Sequence, residues 1–160
     1  MRRFITLAAA VAALLLPVTG GAKDYPGRAE QCEPIRKEVE RLLAQVGASP
    51  AYFYLMVAES HCNGDAVSKA GAVGYWQLMP RTARKYGCNN PRDLECATLA
   101  AGRYLVHLEE KCGADEAIFC WHDGGSNYLR KGRTPTKGAA ALRWQFRYLQ
   151  RTDTRRRNDD

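Results

Sequence analysis

Glu59 ends an apolar stretch, Phe53-Tyr54-Leu55-Met56-Val57-Ala58, and an ordered set of polar and turn-forming residues comes after it: Ser68, a Gly-x-x-Gly turn at Gly71 and Gly74, then Tyr75, Trp76, Gln77, Met79 and Thr82. A carboxyl walled by apolar side chains such as Met56, Val57 and Leu78 has its charged form disfavoured, which raises its pKa toward neutrality. A place in the last turn of a helix acts the same way, because the negative end of the helix dipole opposes a carboxylate. The chemistry this permits is general acid catalysis. Ser68 offers a hydroxyl, Gln77 a donor and an acceptor, Met79 a pliable apolar surface, and Gly74 room for a close backbone approach. Each has a plainer reading. Taken alone, Glu59 reads as a solvated helix end, a reading the adjoining motif decides against; Ser68 and Thr82 read as helix caps, Met79 as core and Gly74 as a turn. Trp76 reads as core and Tyr75 as a stacking surface.

The elements that must hold this segment are helices. Ile35, Val39, Leu42, Leu43 and Val46 recur at three-to-four spacing and stop at Gly47. Ser49 before Pro50 is a cap followed by the helical position that tolerates proline, and opens a helix through Ser60. Residues 61–79 show no period and read as a loop or short irregular hairpin lining a groove. Pro80 to Tyr86 is a short helix closed by Gly87. A long helix runs from Asp93 to Gly113, with Leu94, Ala97, Ala101, Tyr104, Leu105 and Leu108 on one side. Asp115 caps a helix reaching Trp121. Residues 123–138 read as loop with one helical turn at Tyr128, and a last helix spans 139–150. The charged segment 152–160 reads as a disordered tail. The fold class is all-α.

Residues 1–22 carry Arg2 and Arg3, an apolar run from Leu7 to Leu16, Pro17, and small residues at Gly20 and Ala22. This is a signal peptide rather than an anchor, since the run is too short to span a bilayer. The domain is then 23–151. Removing Arg2 and Arg3 leaves 22 basic against 17 acidic residues, a charge of about +5. The mature part has six cysteines, an even number that in an exported protein points to disulfides. Without a Cys-x-x-Cys and with scattered histidines, no metal or cofactor is expected. Cys88 and Cys96 flank Asn89-Asn90-Pro91, and Cys112 and Cys120 flank Gly113-Ala114-Asp115. Cys32 with Cys62 remains, one of 15 possible connectivities overall.

The set from Glu59-Ser60-His61-Cys62 through Ser68 and GAVGYWQLMP (71–80) to Thr82 resembles the catalytic core of lytic transglycosylases, relatives of goose-type lysozyme. The resemblance continues through Tyr104 to WHDGG at 121–125. It implies a lysozyme-like helical domain with a substrate cleft, stapled by disulfides, acting as a monomer on peptidoglycan glycan strands in the periplasm or outside the cell. It implies Glu59 as sole acid and base, with the muramic acid's C6 hydroxyl closing on C1 to leave a 1,6-anhydro end. Ser68, Gly74, Gln77, Met79 and Thr82 then belong to the substrate cleft, and Tyr75, where the family more often has an aliphatic residue, joins them as a sugar-stacking ring.

The family usually has Ala-Tyr-Asn-Ala-Gly where this chain has Trp121-His122-Asp123-Gly124-Gly125. One alignment puts His122 and Asp123 in the tyrosine and asparagine positions; a slip of one residue puts Trp121 and His122 there. A histidine would donate to Glu59 as the phenol does, and if protonated would weaken the acid. Asp123, or Asp65 in its Gly-Asp turn, keeps open a goose-type hydrolysis of the same bond by two carboxylates. A non-catalytic wall-binding protein on the same scaffold is the other alternative. The basic residues of the last third would suit anionic wall polymers. They would suit nucleic acid too, which export disfavours, and no stable membrane insertion is expected.

Overall fold

The computed structural model describes residues 25–159, so the leader read at 1–22 lies outside the described residues. Among the described residues eight α-helices occur in order: α1 (Tyr25–Gln31), α2 (Glu33–Gln45), α3 (Phe53–Ser60), α4 (Pro80–Lys85), α5 (Leu94–Cys112), α6 (Ala117–Asp123), α7 (Gly125–Arg130) and α8 (Lys137–Asp159). One 3₁₀ turn, Pro50–Tyr52, precedes α3, with the Ser49 hydroxyl accepting from the Ala51 amide. Among the described residues the only β pairing is two isolated antiparallel bridges, Val67 with Val73 and Val73 with Leu78.

The centre of the molecule is α3. Its residues Phe53 to Val57 are all buried, so this helix is apolar all round. Each such side chain contributes roughly 1.5–3 kcal/mol by leaving water. Helices α1, α2 and α8 pack on it, with α5 packed on α2 and α6, and α8 also on α6. Small residues let α5 come close. A Cβ at Gly102 would lie 2.5 Å from Val46 Cγ2, so glycine there sets the α2–α5 spacing. Asp93 caps α5 by accepting from the Cys96 amide at 2.7 Å. Trp76 anchors the loop before α4: fully buried, it donates through Nε1 to the buried Thr98 hydroxyl of α5 at 3.0 Å. Disulfides join Cys32 to Cys62, Cys88 to Cys96 and Cys112 to Cys120, tying α1–α2 to the end of α3 and closing the loops on either side of α5.

Three expectations are corrected. The segment from Thr152 is not a disordered tail: α8 continues to Asp159. The cause is Arg36, a buried guanidinium on α2. It donates to the Tyr54 hydroxyl at 2.6 Å and to Glu40 at 2.7 Å, and pairs with Asp153 at 2.9 Å. Tyr54 in turn donates to Asp153 at 2.6 Å, and Arg157 pairs with the same carboxylate at 2.9 Å. A buried cation needs a counter-charge, and the last turns of α8 deliver it. Burial pushes the Asp153 carboxyl up, but Tyr54 and Arg36 outweigh this and hold it below the usual range. Second, Asp115 does not cap α6. It is an exposed residue facing Arg147 at 3.5 Å, and Glu116, the residue before α6, makes no side-chain cap either. Third, the single turn read at Tyr128 within a loop is a helix, α7, and the last helix begins at Lys137 rather than at 139.

Candidate active site

Glu59 occupies the last turn of α3, and a tight chain reversal directly after that helix fixes it there. His61 and Cys62 are both left-handed, at φ 53° and 61°, which turns the chain back within two residues. Such positions are strained for side-chain-bearing residues and persist only where the surroundings enforce them. Here the Cys62–Cys32 disulfide, the His61 amide donating to the Val57 carbonyl, and the Ser60 hydroxyl donating to the Tyr75 carbonyl at 2.6 Å do so. The His61 ring takes a 2.7 Å hydrogen bond from the Arg28 guanidinium of α1, and burial with that cation lowers its pKa.

The Glu59 carboxyl meets α6. Trp121 Nε1 donates to Glu59 Oε1 at 2.7 Å. Burial pushes the Glu59 carboxyl from its ordinary 4.5 up to about 7, against the downward pull of the indole hydrogen bond and of nearby His122. The acid is thus poised at neutrality by desolvation, as the apolar stretch before it implies. Of the two alignments at 121–125, the one giving Trp121 the tyrosine's position matches the geometry. His122 does not bond Glu59. Its Nδ1 is 2.9 Å from Asp123 Oδ1, and its ring lies against Gly138.

Asp123 is committed to structure. Its side chain is 3% exposed. It accepts from the Thr136 amide at 2.8 Å and the Thr136 hydroxyl at 2.5 Å, so it pins the turn before α8. Burial raises its carboxyl, but the bonds from Thr136 and His122 prevail and hold it below the usual range. Asp65 lies apart, its side chain 94% exposed with Arg92 at 3.7 Å.

A cavity of about 190 Å³ opens against Trp121, lined also by Gln77, Met79, Thr82, Tyr104, His122 and Asp123. Three of the cleft residues read from sequence, Gln77, Met79 and Thr82, and both members of the His122-Asp123 pair fall in this one space or on its rim. Gln77, held at φ 46°, spends its amide nitrogen on the carbonyls of Ala66 and Gly74 at 3.1 and 3.0 Å, so it shapes the loop while facing the cavity. Met79 is 45% exposed at the mouth. The others are placed differently. The Ser68 hydroxyl accepts from the Ala72 amide at 3.0 Å and closes the 68–72 turn. Gly74 sits at φ 78°, and a Cβ there would fall 1.8 Å from the Pro91 carbonyl oxygen, so its closest neighbour is the 88–93 loop. The Tyr75 ring covers Gly64.

Tyr104 is the wall residue that helical patterning assigned only to the packed face of α5. Its ring centroid is 5.4 Å from that of Trp121, and the Trp76 ring lies 6.2 Å from Trp121. The indole that holds Glu59 is therefore in contact range of two other aromatic rings. The described residues contain no cluster of three or more His, Cys, Asp or Glu able to hold a metal, and no helix long and apolar enough to cross a membrane.

No solved structure matches the chain. The model of the transglycosylase SLT domain family matches residues 43–143, a span that takes in Glu59, the 61–79 loop, Tyr104, Trp121 and Asp123. The chain belongs to that family, the peptidoglycan lytic transglycosylases.

Proposed function

We propose that this is an exported enzyme that cleaves the MurNAc–GlcNAc β-1,4 bond of peptidoglycan without water, Glu59 serving first as acid and then as base. The observation that carries the reading is the single buried carboxyl of raised pKa, held at 2.7 Å by a donor that cannot itself titrate. Protonated Glu59 gives its proton to the glycosidic oxygen, the C1–O bond breaks, and the leaving sugar departs as an alcohol. The carboxylate, steadied by the Trp121 N–H, then takes the proton of the muramic acid's C6 hydroxyl as that oxygen bonds to C1. Atoms balance with no water consumed. The bound hydroxyl outcompetes bulk water by proximity.

Hydrolysis would need a second carboxylate to activate water or meet the cationic carbon. Asp123 is turned to Thr136 and His122, and Asp65 to Arg92 and solvent, which supports the one-acid reading. The leader at 1–22 and the three disulfides support export to the periplasm or beyond. Mass spectrometry of the sugar ends after digestion of purified peptidoglycan tests the reaction. Ends of 1,6-anhydro-muramic acid, one water lighter than hydrolysed ends, are expected. Reducing ends that incorporate labelled water would refute it and return Asp123 to a mechanistic role.

A further inference from the structure

The space beside Trp121 does not end at Tyr104. A second cavity of about 150 Å³ opens beyond it, and Thr82 and Tyr104 line both. Its walls come from three helices: Lys85 and Tyr86 at the end of α4, His107 and Lys111 one and two turns along α5 from Tyr104, and Ser126 at the start of α7. No carboxylate lines it. Among the described residues neither Lys85 nor Lys111 has an ion-pair partner; the Lys85 ammonium lies 5.3 Å above the Tyr86 ring. Two ammonium groups and an imidazole around one concavity make it a sink for an anion. The floor is a continuous run of rings: Trp121 to Tyr104 at 5.4 Å, Tyr104 to Tyr86 at 5.0 Å, Tyr86 to His107 at 6.2 Å.

From these contacts we propose that the basic cavity is a subsite for a carboxylate of the stem peptide carried by the muramic acid at the cleaved bond, so that the enzyme prefers peptide-bearing strands to stripped ones. The inference rests on the peptidoglycan-cleaving function proposed above. The two centroid steps place Tyr86 within about 10 Å of the indole that holds Glu59. A carboxylate attached directly to the reacting sugar does not reach that far. A peptide extended at about 3.3 Å per residue does so in two or three residues. The lysines supply the charge, the Ser126 hydroxyl a further donor, and Leu108 with the rings an apolar base.

The test is binding without turnover. Glu59→Gln protein is titrated calorimetrically with soluble glycan strands bearing their peptides and with the same strands stripped by an amidase. The titrations are repeated with Lys85→Gln and Lys111→Gln added. Peptide-bearing strands are expected to bind about tenfold tighter or better, and the two lysine substitutions should bring that ratio close to one. Lys111→Glu should push it below one. Equal affinity for both strands, a ratio indifferent to the lysines, or a larger loss on stripped strands would overturn the proposal. The last result would assign the cavity to the carboxylate of a neighbouring sugar. Reducing rather than anhydro ends in the cleavage assay would overturn the proposed reaction and leave this ratio standing.

Discussion

Replacing Trp121 by Phe isolates what the indole N–H does to the acid. The ring stays apolar and keeps most of its contact with Trp76 and Tyr104, while the 2.7 Å bond to Glu59 is lost. A hydrogen bond to a charged group is worth about 1.5–3 kcal/mol, against about 0.5–1.5 kcal/mol for a neutral one. The indole therefore favours the carboxylate over the carboxylic acid by about 1–1.5 kcal/mol, close to one pH unit. Glu59, already pushed up to about 7, should rise by about that much in Trp121→Phe. A general acid fails as pH climbs past its pKa, so the alkaline limb of the rate profile on purified sacculi should move up by about one unit. Carbon-13 NMR titration of carboxyl-labelled protein reads the same shift without turnover. The rate at the optimum should fall as well, because the carboxylate formed in the first step loses its partner. An alkaline limb that stays put, or moves to lower pH, would refute the indole as the donor that stabilises the ionised acid.

Four further outcomes are expected. Glu59→Gln should lower glycan cleavage by about 10²–10⁴-fold. The same change should raise stability selectively at high pH: the folded carboxyl is protonated up to about 7 and the unfolded one only to about 4.5, so burial is harmless at pH 4 and costs on the order of 3 kcal/mol above pH 8; urea melts at the two pH values that show equal differences would contradict the raised pKa. Asp153→Ala takes one of the counter-charges from the buried Arg36, leaving Glu40, and should cost about 1.5–3 kcal/mol with little direct effect on substrate binding, checked by thermal and urea unfolding. Replacing Cys32 and Cys62 by Ala opens a 30-residue separation worth about 3–4 kcal/mol in the chain-entropy account, and should reduce kcat more than loss of the Cys112–Cys120 bridge does, because Cys62 holds the left-handed turn behind Glu59.

The parts of the molecule legible in the sequence are those whose reasons are local. The stripe of Val39, Leu42 and Leu43, the Ser49-Pro50 start, the Asp93 cap and the turn chemistry of 61–79 each depend on neighbours a few residues away, and the helices and the irregular hairpin arise from them. The continuation of α8 is not legible, because residues 152–159 have a charged, low-hydropathy composition and their reason for order is one guanidinium on α2. The basic cavity is not legible either, since Lys85, His107, Lys111 and Ser126 sit on three helices and share no spacing.

The region 121–125 lies between these cases, and there one residue of phase decides the chemistry. Successive residues on a helix are turned by about 100°, so α6 can present either Trp121 or His122 to Glu59, but not both. The sequence leaves the two open. The structure resolves them through constraints along α6: the Cys112–Cys120 bridge holds its middle, next to Trp121, and Gly124 at φ 77° with Asp123 bound to Thr136 fixes its end. A histidine in that place would be a donor whose charge changes across the working range of Glu59, and the acid's strength would then depend on a second titration. An indole donates at every pH and accepts at none. With Trp121 inward and His122 paired to Asp123, the protonation state of the acid is governed chiefly by the burial of Glu59 itself.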